Sequence, residues 1–316
     1  MGFARLNPSY RGASRRRFIY GAAAAAASPL LARMNAMAAD AMIARPIPSS
    51  GEVMPVIGLG TWNVFDVGED AGARAPLKEV LRHLVDAGGR MIDTSPMYGR
   101  AEAVTGDLVA ELGLRPRVFL ATKVWTSGHE QGIAQMRRSA ERLRSPVIDL
   151  IQIHNLLDCR THLATLRQMK AAGQVRYIGI THYTTSSFPE LARILEGEAG
   201  IDFVQFGYSL ATRDAETKLL PVAAARRVAT IVNQPFESGD MFRRVRGKPV
   251  PEWAADFDCT SWAQLFLKYV LAEPAVTAVI PATASPEHMA DDLKAGFGRL
   301  PDAQQRQRIR QLWASL

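Results

Sequence analysis

The sequence predicts a single (β/α)8 barrel, preceded by a β-hairpin and followed by one extra helix. Two observations carry this. From Val56 onward, short β-rich runs alternate with amphipathic stretches eight times, with no low-complexity linker between them. Three consecutive apolar runs also end on a polar residue: 90–93 on Asp93, 118–123 on Lys123 and 148–154 on His154. In a barrel of parallel strands joined by helices, the C-terminal strand ends gather on one face. Tyr98, five positions after Asp93 in the loop DTSPMYG, joins them there.

The strands are expected at 56–60, 90–93, 118–122, 148–154, 177–181, 203–205, 229–232 and 276–280. Helical patterns lie between or after them at 76–87, 101–112, 132–143, 161–172, 186–195, 216–226, 261–272 and 286–295. Gly88-Gly89, Gly113 and Gly173 stand where helix C-caps belong. Ser49-Ser50-Gly51 separates two short extended pieces and predicts a hairpin closing the bottom of the barrel, and 301–316 reads as the extra helix. The segment 233–260 is the longest irregular stretch. A loop that long after a barrel strand is usually functional, and it falls on the active face.

The formal net charge is +7. Residues 1–38 hold six arginines and no acid, so subtracting six from +7 leaves the body at +1. A near-neutral body offers no case for a nucleic acid partner. The basic N-terminus resembles a twin-arginine leader: SRRRFIY at 14–20, an alanine-rich apolar stretch, then Ala36-Met37-Ala38. The expected division is a cleaved signal peptide at 1–38 and a barrel domain at 39–316, with Ala41 as the competing cleavage site. A periplasmic or other extracytoplasmic location follows, with the twin-arginine export machinery as a partner. The apolar stretch, about fifteen residues long and containing Pro29, falls short of the ~20 that span a bilayer, so no stable membrane span is expected. The two cysteines, Cys159 and Cys259, make no disulfide framework and read as unpaired thiols. Nothing in the spacing of His and Cys argues for a metal.

A phenol, an ammonium, a carboxylate and an imidazole in one pocket suit the addition of a nucleophile to a carbonyl. Tyr98 can protonate the nascent alkoxide, although an ordinary phenol near pKa ~10 releases its proton reluctantly. Lys123 is expected to lower that pKa, and Asp93 to keep the ammonium tolerable in a low-dielectric pocket. His154 can hydrogen-bond the carbonyl oxygen. None of the four brings an electron pair to the carbon, and a hydride from a nicotinamide fits that need. Taken singly, each residue has an ordinary structural role available. Lys123 could be a surface or Schiff-base lysine, His154 a satisfied histidine, Trp62 and Trp125 packing, and Gln205 a strand cap. Their joint placement at four strand ends outweighs these.

From about Pro46 to the C-terminus the chain resembles the aldo/keto reductase superfamily. The matching segments are IGLGTW (57–62), IDTSPMYG (92–99), the strand ending at Lys123, DLIQIH (149–154), IGITHY (178–183), VQFGYSL (204–210) and VIPATASPEHMADDL (279–293). The resemblance implies the barrel and the catalytic tetrad Asp93, Tyr98, Lys123 and His154, with Tyr98 as general acid. It implies NADPH as cofactor, with NADH the alternative, and a small carbonyl compound as substrate. By the same resemblance Thr181, His182 and Gln205 hold the nicotinamide carboxamide, and Thr61, Trp62 and Asp93 line the cofactor. Asn233, Pro235, Pro281, Thr283, His288, Asp291 and Asp292 complete that site, while Trp62, Trp125 and His154 line the substrate pocket. A monomer is the expected state.

Two departures stand out. Asn233 occupies the place where many relatives stack an aromatic ring on the nicotinamide. Ala282 and His288 occupy the places where NADPH-users often set a lysine and an arginine, so a weakened preference for the 2′-phosphate is expected, with Thr283 and backbone amides at the next helix still able to bind it. The competing functions are a nicotinamide-binding sensor with little turnover and a lyase using Lys123 as a Schiff base. A lysine salt-bridged to a carboxylate is a poor nucleophile, which disfavours the lyase.

Overall fold

The computed structural model describes residues 41–316, and the expected leader lies outside the described residues. Strands β1 (Ala44–Pro46) and β2 (Val53–Pro55) form the expected antiparallel hairpin. Eight strands follow: β3 (Leu59–Gly60), β4 (Met91–Asp93), β5 (Phe119–Val124), β6 (Ile148–His154), β7 (Val175–His182), β8 (Phe203–Gly207), β9 (Ala229–Asn233) and β10 (Ala278–Val279). All neighbours pair in parallel, in sequence order. The ring closes between its first and last strands through bridges joining Ile57 to Val279 and Gly60 to Ala282. Those two strands are shorter than the sequence predicts, because only these bridges, not a full ladder, extend their pairing.

One helix follows each of the first six barrel strands: α1 (Ala71–Asp86), α2 (Ala101–Glu111), α3 (His129–Arg142), α4 (Cys159–Ala171), α5 (Phe188–Gly197) and α6 (Leu219–Ala225). Helix α1 starts five residues earlier than predicted, because Asp70 caps it by accepting from the Ala73 N–H, and the helix absorbs Pro76 in its interior. Gly88, Gly113 and Gly173 take the left-handed conformation just past α1, α2 and α4, as expected of C-cap glycines. The 233–260 segment is more ordered than predicted. It contains α7 (Asp240–Arg244) and a 3-10 helix at Glu252–Phe257 before α8 (Trp262–Leu271). Buried Lys268 of α8 secures that segment, donating to the carbonyls of Phe257, Phe297 and Arg299 at 2.9, 2.7 and 2.8 Å.

Helix α9 (Pro286–Lys294) completes the eighth unit, and α10 (Ala303–Ser315) is the predicted extra helix. A capping box between Asp302 and Gln305 starts α10. Its Arg306 then donates to the Tyr208 hydroxyl at 2.8 Å and pairs with Glu216 and Glu273, locking the helix to the barrel wall. Among the described residues no helix is long and apolar enough to cross a membrane. Both cysteines are free, as the sequence predicts.

The two-residue period of a strand sorts side chains to the inside and outside of the barrel. Met91, Phe119, Ala121, Leu150, Tyr177, Phe203, Ala229, Ile231, Ala278 and Ile280 point inward and form one cluster. Ile47 and Met54 of the hairpin are fully buried in the same cluster, so the hairpin plugs the bottom. The intervening residues, such as Leu120, Ile151, Ile178 and Val204, face the helices. Replacing Met54 by Ala should remove about 2–5 kcal/mol of stability by opening a cavity in that plug. A urea titration reads this directly, and an unchanged midpoint would show that the hairpin is not part of the core.

Candidate active site

The inward period explains why the polar residues converge. In β4, Met91 and then Asp93 face the interior; in β5, Phe119, Ala121 and then Lys123; in β6, Leu150, Gln152 and then His154. Apolar side chains fill the lower interior, and the polar ones fall at the C-terminal mouth. Lys123 and Asp93 are 1% and 2% exposed, burial that a charged residue survives only when paired. The Lys123 ammonium donates to Asp93 Oδ2 at 2.6 Å and to the Thr94 carbonyl at 2.9 Å. The other carboxylate oxygen, Oδ1, accepts from Gln152 Nε2 at 3.0 Å and from Gln205 Nε2 at 2.9 Å. Every side of the buried carboxylate is therefore satisfied.

Gln152 escapes the sequence analysis, although its position two residues before His154 on the inward face of β6 carries the signal. Space for it comes from Gly179 on β7, opposite in register, where a Cβ would lie 2.8 Å from Gln152 Cγ. Gln205 is turned inward as well, its Oε1 accepting from Thr181 Oγ1 and Asn233 Nδ2, both at 3.3 Å.

Tyr98 sits half-buried above this pair, with the Lys123 nitrogen 5.0 Å from its ring centroid. Burial pushes the phenol above its ordinary pKa, and Lys123 opposes the rise without reversing it. Lys123 lowers the pKa as expected, but desolvation is the larger effect, and the phenol keeps its proton through the neutral range. For Lys123 burial works the other way, but Asp93 and Tyr98 outweigh it and the ammonium stays charged. The ring of His154 meets Tyr98 edge-on at 6.0 Å between centroids, and its Nδ1 is 3.1 Å from Ser95 Oγ. Burial, Lys123 and His182 hold its pKa down to about 3, so the imidazole is neutral. The site therefore combines a loaded acid, a fixed cation beneath it and a neutral imidazole beside it, the requirements for protonating an oxygen that gains negative charge.

The remaining predicted residues surround this mouth. Thr61 is buried and donates from both its N–H and its hydroxyl to the Asp93 carbonyl, at 3.1 and 3.0 Å. Trp62 and Trp125 are 46% and 41% exposed, unusual for indoles, and the Trp125 ring lies 6.4 Å from that of His154. His182 stacks on Tyr183 and accepts from the Thr184 N–H at Nδ1. Pro235 follows Asn233 at the start of the 233–260 segment, and Pro281 accepts from the Gly60 N–H across the ring closure. Thr283 is buried and accepts from the Ser285 N–H, while His288 is exposed in the first turn of α9. Asp291 is spent on Ser261 and Gln264 of α8, and Asp292 is buried with its pKa pushed up by burial and by Asp291. Thr94 Oγ1, Asn155 Oδ1 and Asn233 Oδ1 are buried at this mouth without a partner, polar atoms of the sort that a polar ligand satisfies.

A sequence profile described as the aldo/keto reductase family matches residues 56–314. The methylglyoxal reductase YeaE of Escherichia coli strain K12 is 30% identical over 251 residues, covering 77% of this chain and 86% of that protein. A crystal structure of an aldo/keto reductase from Klebsiella pneumoniae in complex with NADP and acetate aligns at a TM-score of 0.71 and 27% identity. It covers 83% of this chain and 93% of that one. A second Klebsiella pneumoniae aldo-keto reductase structure, in complex with NADPH, aligns at 0.72 and 26% identity, covering 86% and 96%. The chain belongs to the aldo/keto reductase family, and it is an oxidoreductase.

Depressed to about 3 in the folded state, His154 makes stability pH-dependent with a definite sign. Above about 6.5 the imidazole is neutral in both states. As pH falls from there towards 3, only the unfolded chain takes up the proton, and stability is lost. Side-chain nitrogen NMR at a pH of about 5 should show His154 as neutral while an ordinary histidine is charged. A protonated His154 signal at that pH would contradict the burial argument.

Proposed function

We propose that this protein reduces aldehydes or ketones to alcohols with NADPH, Tyr98 acting as general acid. The observation that carries the reading is the buried Lys123–Asp93 pair placed beneath Tyr98 at the barrel mouth. When bound, the dinucleotide supplies a hydride to the carbonyl carbon. Tyr98 donates its proton to the oxygen, Lys123 stabilises the phenolate left behind, and neutral His154 orients the carbonyl by a hydrogen bond. Thr181, His182 and Asn233 stand at the strand ends to hold the nicotinamide. Thr283, His288 and the first turn of α9 would hold the adenosine phosphate. The NADP and NADPH carried by the two Klebsiella structures support this cofactor, and the name of the Escherichia coli relative points to small dicarbonyl compounds such as methylglyoxal.

Replacing Tyr98 by Phe should lower kcat by at least ~10²-fold, the scale of a lost general acid, while NADPH still quenches tryptophan fluorescence. Full activity in that variant would remove Tyr98 from the mechanism. Repeating the titration with NADH should give a dissociation constant within about a hundredfold of that for NADPH, a gap of under roughly 2.7 kcal/mol. A wider gap would mean that Ala282 and His288 have not weakened the phosphate site.

We also propose that the protein works outside the cytoplasm after twin-arginine export, a reading supported by SRRRFIY and the alanine-rich stretch behind it. Changing Arg15 and Arg16 together to Lys should keep the full-length chain in the cytoplasmic fraction. Unchanged appearance in the periplasmic fraction would dismiss the leader.

A further inference from the structure

Among the exposed large hydrophobic side chains, Trp62, Met97, Trp125 and Tyr183 all stand on loops at the catalytic end of the barrel. Of these Trp125 is anchored in an unusual way. Four backbone polar groups of the loop from Trp125 to Gly128 are taken by side chains of α3, of α4 and of Asp158 at the start of α4. Gln135 of α3 bonds both faces of the Trp125 peptide, its Oε1 accepting from the Trp125 N–H at 2.6 Å and its Nε2 donating to the Trp125 carbonyl at 3.1 Å. His162 of α4 contacts the Thr126 carbonyl through Nε2 at 2.6 Å, and Asp158 accepts from the Gly128 N–H at 2.8 Å. His162 fits only because residue 132 is glycine, where a Cβ would come within 2.5 Å of its ring.

A loop that merely connected β5 to α3 would satisfy its backbone with water. This one is held at three points by side chains from helices packed on the barrel, and what it presents is an indole beside His154. An exposed ring fixed in one orientation binds a flat apolar group without first losing its own rotational freedom. We propose that Gln135 is a positioning residue that sets substrate preference: by clamping the Trp125 peptide it holds the indole as a rigid wall, favouring carbonyl compounds with a flat apolar body over those with a methyl group. This rests on the carbonyl reductase reading above. His162 and Asp158 hold the rest of the loop, but only Gln135 acts on Trp125 itself.

The test compares phenylglyoxal with methylglyoxal, which share the reacting ketoaldehyde and differ only in phenyl against methyl. The wild type should favour phenylglyoxal in kcat/KM by about tenfold or more, the scale of a well-formed apolar contact. Gln135→Leu, which keeps the side chain's bulk and removes both hydrogen bonds, should shrink that ratio by about fivefold or more. The loss should fall in the phenylglyoxal KM rather than in kcat. Gln135→Glu, which retains only the acceptor, should fall between.

An independent readout is acrylamide quenching of Trp125, isolated by subtracting the emission of a Trp125→Phe protein; in Gln135→Leu the quenching constant should rise. A preserved phenylglyoxal preference, or Trp125 quenching unchanged in a variant that melts like the wild type, would overturn the proposal. Should the wild type turn over neither aldehyde while Trp125 still loosens in Gln135→Leu, the reductase reading fails and the clamp stands.

Discussion

The ion pair between Lys123 and Asp93 is the constraint around which the upper half of the barrel is arranged. Burying one unpaired charge would cost several kcal/mol, and removing one partner of such a pair typically costs about 3–5 kcal/mol. The fold therefore surrounds the pair completely. Lys123 donates a second hydrogen bond to the Thr94 carbonyl, and Gln152 and Gln205 close the far side of the carboxylate from β6 and β8. Four strands are thereby tied by polar contacts at the level where the apolar interior ends. Such a pair adds little net stability compared with hydrophobic packing.

Burial plays two parts in this site. It raises the Tyr98 pKa, so the phenol holds its proton at neutral pH, and it depresses that of His154, so the imidazole is neutral there. The ammonium then opposes the first effect and reinforces the second. One cation placed below two neutral groups thus lowers the pKa of both.

The barrel, its hairpin and the convergence of Asp93, Tyr98, Lys123 and His154 were legible in the sequence because each rests on a local rule: strand-length apolar runs, glycine stops, and polar residues closing consecutive runs. Segment ends were less legible. The sequence places the start of the first helix at 76, and the Asp70 cap moves it to Ala71. Residues whose work depends on partners far along the chain were not legible at all. Gln152 reads as one polar residue in an apolar strand until Asp93 is beneath its amide. Lys268 reads as an exposed helix lysine until three carbonyls from two distant segments converge on it. The net direction of the Tyr98 shift was not legible for a related reason: a neighbouring charge can be inferred from motif order, whereas depth of burial requires the assembled mouth.

The ring of strands is sealed where the chain's first and last barrel strands meet, and its two bridges join residues more than two hundred positions apart. Every other strand pair can form soon after its second member is made, but this seam carries the largest loop-closure cost and has to wait for the eighth unit. Thr61 and Trp62 lie on one side of it and Thr283 on the other. Until the eighth unit is made, the outer edge of β3 has no strand to pair with, so the ring can be sealed only at the end of synthesis.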